Sequence, residues 1–234
     1  MGANTFADNL KHLLSRNDIP IEDLAFKAVV PLKYLIRNPT GQAEPNIRAM
    51  LNLSEFFEVP IDMMLKVDMA AAEAEATQME IKFLAIDVDG VMTNGIVSLN
   101  ENGDEIRAFH MHDTRAIVAT VKKGVQVGFL SSNDKDGSVQ AWAKKLGVAY
   151  VYYGKDHKSE VLRQWTEKLG IELSEVAFIG DDVNDIATVR RVGLGVAPSN
   201  ANWRVKLECK VLLEKGGGAG AVREFVERFI TKVE

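Results

Sequence analysis

The order of apolar and polar positions divides the 234-residue chain into a helical first part and a second part of alternating strands and helices. In residues 1–66, apolar side chains recur every three or four positions, which is the period of an amphipathic helix. From residue 81 onward, predominantly apolar runs at 83–86, 125–130 and 176–179 predict buried strands. Helical patterns separate these runs, and this alternation predicts an α/β fold with a doubly wound parallel sheet.

The segment between the two patterns, residues 67–80, is rich in alanine and glutamate and predicts a helical spacer or a frayed linker. We therefore expect a small all-α domain over 1–66, a linker over 67–80 and an α/β domain over 81–234. In the last of these, Asn102-Gly103 between two short extended runs predicts a β-hairpin insertion over 95–109. The remaining pattern predicts helices over 114–123, 136–146, 157–169, 184–192 and 219–231, and strands over 148–152 and 194–197.

Composition narrows the classes of function. A formal net charge of −5 gives no general reason to bind nucleic acid or an anionic membrane. Cys209 is the only cysteine, so a disulfide framework and a thiolate metal cluster are excluded, and a reducing compartment fits. No run approaches the ~20 apolar residues of a membrane span, and the start of the chain has no secretory signal pattern. We expect a soluble cytoplasmic protein that does not engage membranes.

Two carboxylates, Asp87 and Asp89, directly follow the apolar run 83–86 and precede Gly90. In an open α/β sheet, the chemistry takes place just beyond the carboxyl ends of the strands. A hard cation such as Mg²⁺ would hold both acids ionised. One acid could then attack phosphorus while the other moves protons. The alternative is a solvated aspartate turn in which Gly90 supplies the bend.

Three later positions also carry candidate chemistry at predicted strand ends or helix starts. The hydroxyl of Ser131 could hold phosphoryl oxygens, and Lys158 could place a positive charge on the phosphoryl group. Asp181, Asp182 and Asp185 form a further acidic group. Each has a structural alternative: a helix cap for Ser131, a surface lysine for Lys158, and a charged loop for the acids. Together they favour phosphoryl transfer, which requires positioning and neutralisation of oxygen charge.

The haloacid dehalogenase superfamily has four motifs, and the chain resembles them at residues 87–93, Ser131, Lys158 and residues 180–185. The resemblance implies a Rossmann-like fold in which Asp87 forms an aspartyl-phosphate while Asp89 acts as general acid and then as base. It also implies that Mg²⁺ is held by Asp87, the carbonyl oxygen of Asp89 and Asp181. Asp182 and Asp185 would support these ligands.

Residues 95–109, 109–113 and 217–224 resemble a narrower group, the 3-deoxy-D-manno-octulosonate 8-phosphate phosphatases and the related nonulosonate 9-phosphate phosphatases. These enzymes lack a separate cap domain, and the chain between Asp89 and Ser131 has room only for a hairpin and one helix. The resemblance implies a Mg²⁺-dependent phosphatase of a small sugar-acid phosphate. It also implies a homotetramer in which the hairpin 95–109 covers a neighbour's site.

The same resemblance places substrate contacts at Asp87, Ser131, Ser132, Asn133, Lys158, His112 and Asp113. The chain departs from the family where the sugar should bind. It has His112-Asp113-Thr114 in place of Arg-Asp-Gly, Ser132-Asn133 in place of Gly-Arg, and Ala219 in place of Arg. Because arginine suits bidentate carboxylate binding, these changes leave open a phosphatase of another sugar or nucleotide phosphate.

Residues 1–66 resemble the phage-repressor (Cro-type) helix-turn-helix family, most clearly at 10–14, 22–25 and 57–65. In that family the second helix of the motif enters the major groove, which would turn Lys33 and Arg37 toward DNA. These 66 residues hold seven Lys or Arg and eight Asp or Glu, a balance that offers phosphates little attraction. DNA binding, with the second domain as a sensor, is therefore the alternative, and contacts with subunits or partners are the favoured interpretation.

Overall fold

A computed structural model describes residues 5–37, 46–103, 105–132 and 137–231. The chain forms two compact units, Met1–Glu75 and Ala76–Glu234. Across the described residues, no helix combines the length and apolar character needed to cross a membrane.

The first unit is entirely helical in its described part. Its helices are α1 Thr5–Arg16, α2 Ile21–Lys27, α3 Leu32–Arg37, α4 Ile47–Phe57, α5 Ile61–Lys66 and the start of α6 Met69–Gln78. The predicted apolar stripe forms its core, since Leu10, Leu13 and Leu24 are fully buried. The buried side chain of Asn9 donates to the carbonyls of Met64 (3.0 Å) and Val67 (2.6 Å) and so ties α1 to the end of α5. The segment predicted as a spacer or linker contains α6.

The turn between α2 and α3 presents apolar side chains to solvent. Val29 has a left-handed φ of +52°, which is unusual for a β-branched residue. The side chain of Asn52 donates to the Val29 carbonyl at 3.1 Å and joins α4 to this turn. Phe26 and Val29 are 87% and 76% exposed. The helix-turn-helix assignment remains a prediction, and the side chain of Arg37 lies outside the described part.

The second unit contains a six-stranded parallel sheet with the order β5-β4-β1-β6-β7-β8. Its strands are β1 Phe83–Asp87, β4 Gln126–Ser131, β5 Tyr150–Tyr153, β6 Val176–Ile179, β7 Leu194–Ala197 and β8 Val211–Leu212. Successive strands move outward from β1 on one side and then return to its other side at β6. Right-handed crossovers in the two directions place helices on opposite faces, so the predicted doubly wound α/β fold is confirmed. Ligands bind such sheets where the winding reverses, beside β1.

The elements between these strands agree with the sequence patterns in order and differ in their bounds. A short hairpin, β2 Ser98–Leu99 and β3 Glu105–Ile106, follows β1. The helices are α7 Met111–Lys122, α8 Gly137–Leu146, α9 Lys158–Leu169, α10 Ile186–Val189, α11 Trp203–Glu208 and α12 Ala221–Phe225. Gly220 has a φ of +105°, which an α-helix does not accommodate, so the last helix begins later than predicted. The sequence did not predict α11 and β8, because elements of six and two residues carry too little periodicity.

Candidate active site

The carboxyl ends of three neighbouring strands bring the predicted chemistry together. Asp87 ends β1, Ser131 ends β4, and Asp181 lies two residues beyond β6. Beside them is a cavity of about 470 Å³, and its lining includes Asp87, Asp89, Asp181 and Asp182. The sheet topology therefore places carboxylates almost a hundred residues apart in the chain around one opening.

Lys158, the first residue of α9, connects two buried aspartates. Its Nζ lies 2.8 Å from Asp87 Oδ2 and 2.7 Å from Asp185 Oδ1. The other oxygen of Asp185 accepts the backbone N–H groups of Asp181 (2.9 Å) and Asp182 (3.3 Å). Because a buried ammonium is stable only when paired, this network fixes Lys158 against Asp87 and excludes the surface-lysine alternative.

The pKa shifts of the acids at this edge follow first from burial and second from the nearby Asp185 carboxylate. Burial raises the pKa of Asp87 well above its usual range; Asp185 adds to the shift and Lys158 opposes it. Burial and the neighbouring Asp185 raise the pKa of Asp181 to about 7. Burial acts to lower the pKa of Lys158, but Asp87 and Asp185 outweigh it and the pKa is raised. One ammonium does not balance these acids, so the site favours a further positive charge.

The donor atoms fit a divalent metal ion. One carboxylate oxygen from each of Asp87, Asp181 and Asp185 lies within 4.8 Å of the others. Asp181 Oδ1 is buried and has no hydrogen-bond partner among the described residues. Both oxygens of Asp185 are already bonded, to Lys158 and to backbone amides, which favours an orienting role for it. Oxygen donors of this kind suit Mg²⁺.

Asp89 is held by an arginine that the sequence analysis did not identify. Arg107 donates from Nε to Asp89 Oδ1 at 2.7 Å and from Nη2 to Asp89 Oδ2 at 3.1 Å. Its side chain is only 1% exposed and also pairs with Glu105 at 2.8 Å. An arginine in a hairpin has no characteristic spacing from an aspartate 18 positions earlier, so only the fold reveals this bidentate pair. The predicted metal ligand of Asp89 is its backbone carbonyl oxygen, which takes no part in the pair with Arg107.

A glycine-rich segment, residues 216–220, packs directly on the turn that follows Asp87. A Cβ at Gly217 would lie 1.7 Å from the Gly90 carbonyl oxygen, and a Cβ at Gly90 would lie 2.0 Å from Asp181 Oδ2. Gly218 N–H donates to the Val91 carbonyl at 2.9 Å. Side chains are excluded at these contacts, which explains the glycines and ties the segment to the nucleophile turn.

Of the predicted substrate contacts after β4, Ser132 lines the catalytic cavity, and its hydroxyl accepts a hydrogen bond from Asn184 at 3.0 Å. Ser131 is buried at the end of the strand. Asn133 lies outside the described residues.

His112 and Asp113 lie at the start of α7, and neither lines the catalytic cavity. Asp113 is buried, and its Oδ1 accepts the backbone N–H of Arg223 at 2.7 Å. Burial raises the pKa of this carboxyl. His112 is exposed and lines a neighbouring groove. The structure thus joins Asp113 to α12 and separates both residues from the lining around Asp87.

Comparison with known proteins identifies the class. Residues 130–224 match the family model of the haloacid dehalogenase-like hydrolases. The chain is also 31% identical over 154 residues to a curated phosphatase of which it covers 81%. It therefore belongs to the haloacid dehalogenase-like hydrolases and is a phosphatase.

The relatives share one described activity. The 31% identical relative is the 3-deoxy-D-manno-octulosonate 8-phosphate phosphatase of Escherichia coli (strain B / BL21-DE3), and the match covers 66% of this chain. The Moraxella catarrhalis phosphatase of the same name, solved with magnesium, phosphate and the sugar acid, matches with a TM-score of 0.64 and 34% identity over 68% of this chain and 90% of that one. The cobalt-bound Haemophilus influenzae phosphatase matches with a TM-score of 0.61 and 30% identity over 63% and 86%.

Proposed function

We propose that the chain is a Mg²⁺-dependent phosphomonoester hydrolase that acts through an aspartyl-phosphate on Asp87. The substrate is a small sugar-acid phosphate such as 3-deoxy-D-manno-octulosonate 8-phosphate or a nonulosonate 9-phosphate. The observation that carries the proposal is the buried contact of Asp87 with Lys158, beside the unpartnered oxygen of Asp181. The similarity to phosphatases of this sugar acid supports the substrate class.

The residues present account for both halves of such a reaction. A carboxylate oxygen of Asp87 attacks phosphorus while Asp89 gives a proton to the departing alcohol oxygen. Asp89 then takes a proton from the water that attacks the aspartyl-phosphate, and inorganic phosphate leaves. Arg107 donates to both oxygens of the ionised Asp89 carboxylate and orients it as the base. To act first as the acid, Asp89 binds a proton on one oxygen and gives up the hydrogen bond at that oxygen. Asp87, the Asp89 carbonyl and Asp181 would hold Mg²⁺, which would supply positive charge to the phosphoryl oxygens.

A phosphate-release screen with Mg²⁺ over sugar-acid, sugar and nucleotide phosphates tests the proposal. We expect the highest kcat/KM for a sugar-acid phosphate, and loss of activity on chelation that added Mg²⁺ restores. Asp87→Asn should lower kcat by about 10⁴-fold or more, because removal of a covalent nucleophile has effects of this order.

Asp62→Asn, at an exposed aspartate of the first unit, is the matched control and should retain full activity. Absence of Mg²⁺-dependent hydrolysis across the screen, or an active Asp87→Asn variant, contradicts the proposal. Preference for a neutral sugar phosphate or a nucleotide would favour the alternative substrate classes.

The proposal includes a homotetramer in which the hairpin packs against a neighbouring subunit. Ile96, Leu99 and Ile106 are 66%, 67% and 54% exposed. A hairpin of two short strands is marginal in water by itself, and clustered exposed apolar side chains are typical of interfaces. Both observations support an assembly that covers this hairpin.

For the first unit, we favour subunit contacts over DNA binding. Phe26, Val29, Ile47 and Leu51 are between 54% and 87% exposed, and the contact between Asn52 and Val29 joins the α2–α3 turn to α4. The charge balance of residues 1–66 is close to neutral, which suits an apolar interface better than a phosphate backbone.

A further inference from the structure

A second cavity, the basic groove, has a volume of about 500 Å³ and lies between the start of α7 and residues 215–228. Four arginine or lysine residues and two glutamates line it. Glu224 pairs with Arg228 at 2.6 Å and also accepts backbone N–H groups, and Glu227 pairs with Arg223. Both glutamates are therefore already engaged within the groove.

The other two cations, Arg115 and Lys215, are exposed and have no carboxylate partner among the residues that the structure describes. Arg115 can donate two parallel N–H groups to one carboxylate, and Lys215 adds a mobile point charge. Two uncompensated positive charges in a concave site attract a small anion.

The groove is adjacent to the catalytic turn through the glycine-rich segment. Gly217 and Gly218 contact the turn at Gly90 and Val91, whereas Ala219 and Gly220 line the groove. One Cα step of about 3.8 Å separates Gly218 from Ala219. An extended eight-carbon chain measures roughly 9 Å at about 1.25 Å per bond. Such a chain is longer than the single Cα step between the glycine that contacts the catalytic turn and the residue that lines the groove.

The catalytic cavity itself repels a second anion. Within the part of the chain that the structure describes, its lining contains four aspartates and no arginine or lysine. Lys158 is already bonded to Asp87 and Asp185, and Arg107 to Asp89 and Glu105. A carboxylate elsewhere on the substrate is therefore more stable outside this cavity.

We propose that Arg115 and Lys215 bind the carboxylate of the sugar-acid substrate and set the preference for acidic over neutral sugar phosphates. This inference rests on the proposed function and adds the residues that determine its specificity.

Steady-state kinetics of the 234-residue protein test the roles of Arg115 and Lys215. We expect Arg115→Gln with Lys215→Gln to raise KM for 3-deoxy-D-manno-octulosonate 8-phosphate at least tenfold, with kcat within twofold of wild type. The kinetic constants for glucose 6-phosphate should not change, because it lacks the carboxylate. Lys122→Gln, which removes one positive charge from the last turn of α7, should leave the kinetic constants for both substrates unchanged. If wild type prefers the acid substrate and the double variant has the same preference, the inference is wrong and the proposed function is unaffected.

Calorimetry with the free sugar acid measures the affinity of the groove for the carboxylate in the absence of hydrolysis. We expect wild type and Lys122→Gln to bind it and the double variant to bind at least tenfold more weakly. Equal binding by wild type and the double variant, or no binding by wild type, overturns the inference. A protein that binds the sugar acid through this pair but hydrolyses none of its phosphates contradicts only the proposed function.

Discussion

Arg107 is the residue whose role depends most on its surroundings. Its guanidinium is buried between Asp89 and Glu105 and makes a bidentate contact with the carboxylate that we propose as general acid and base. Because it acts through Asp89, it is a positioning residue. Its loss should affect turnover more than binding.

Arg107→Met should lower kcat by about 10- to 100-fold with a smaller change in KM, since a positioned general acid contributes at least 10²-fold. Arg107→Lys should retain part of the activity, because lysine offers a point charge without the planar fork. Steady-state kinetics on the preferred ester measure both.

The control is Arg190→Met, which breaks the bidentate Arg190–Glu208 pair on the surface and should leave kcat unchanged. Wild-type kcat in Arg107→Met would show that the contact with Asp89 has no part in turnover.

At the scale of elements, the hairpin β2–β3 joins the active site to the proposed subunit interface. Arg107 directly follows β3, whereas Leu99 in β2 is 67% exposed. Consecutive residues of a strand point to opposite faces, so Ser98 and Leu99 test the two faces of the hairpin separately.

Leu99→Glu should dissociate the proposed tetramer and lower kcat/KM, because it places a charge in the proposed apolar interface and releases the element that positions Arg107. Sedimentation velocity and kinetics at matched concentrations measure these effects. Ser98→Glu adds the same charge to the other face and should leave the assembly largely intact. If Leu99→Glu keeps the mass and activity of wild type, the hairpin is not at an interface.

At the scale of the whole molecule, each of the two units could make its own contacts with other subunits. The first unit exposes Phe26 at 87%, and nothing in its charge balance favours nucleic acid. If both units contribute to assembly, a substitution that disrupts the interface of one unit should leave the interface of the other intact.

Leu99→Glu alone should leave a smaller oligomer held by the first unit, and Leu99→Glu with Phe26→Glu should be a monomer. Sedimentation velocity across a range of concentrations distinguishes these states. Lys33→Glu in the Leu99→Glu background is the control, because it changes charge without removing apolar surface. If both double variants have the same mass as Leu99→Glu alone, the first unit makes no subunit contact. Salt-sensitive binding of DNA that is lost in Lys33→Glu would instead favour the alternative in which the first unit binds DNA and the second unit is a sensor.

Local chemistry made much of the molecule predictable. The apolar runs at 83–86 and 176–179 predicted strands that the structure confirms, because burial on both faces leaves a continuous apolar signal. Asp87 and Lys158 were found at a strand end and a helix start, and the fold brings them to 2.8 Å. Short elements such as β8 were missed, since two residues depend on a neighbouring strand for their conformation.

The sequence by itself determined the order of the longer strands and helices and the carboxylates at the sheet edge, because each has a signal within a few residues. Tertiary structure alone decided that Arg107 holds Asp89, that Asp113 bonds to α12 and that Arg115 and Lys215 face one groove. These contacts join residues from 18 to 110 positions apart. Packing of distant segments sets such distances, and no local periodicity encodes them.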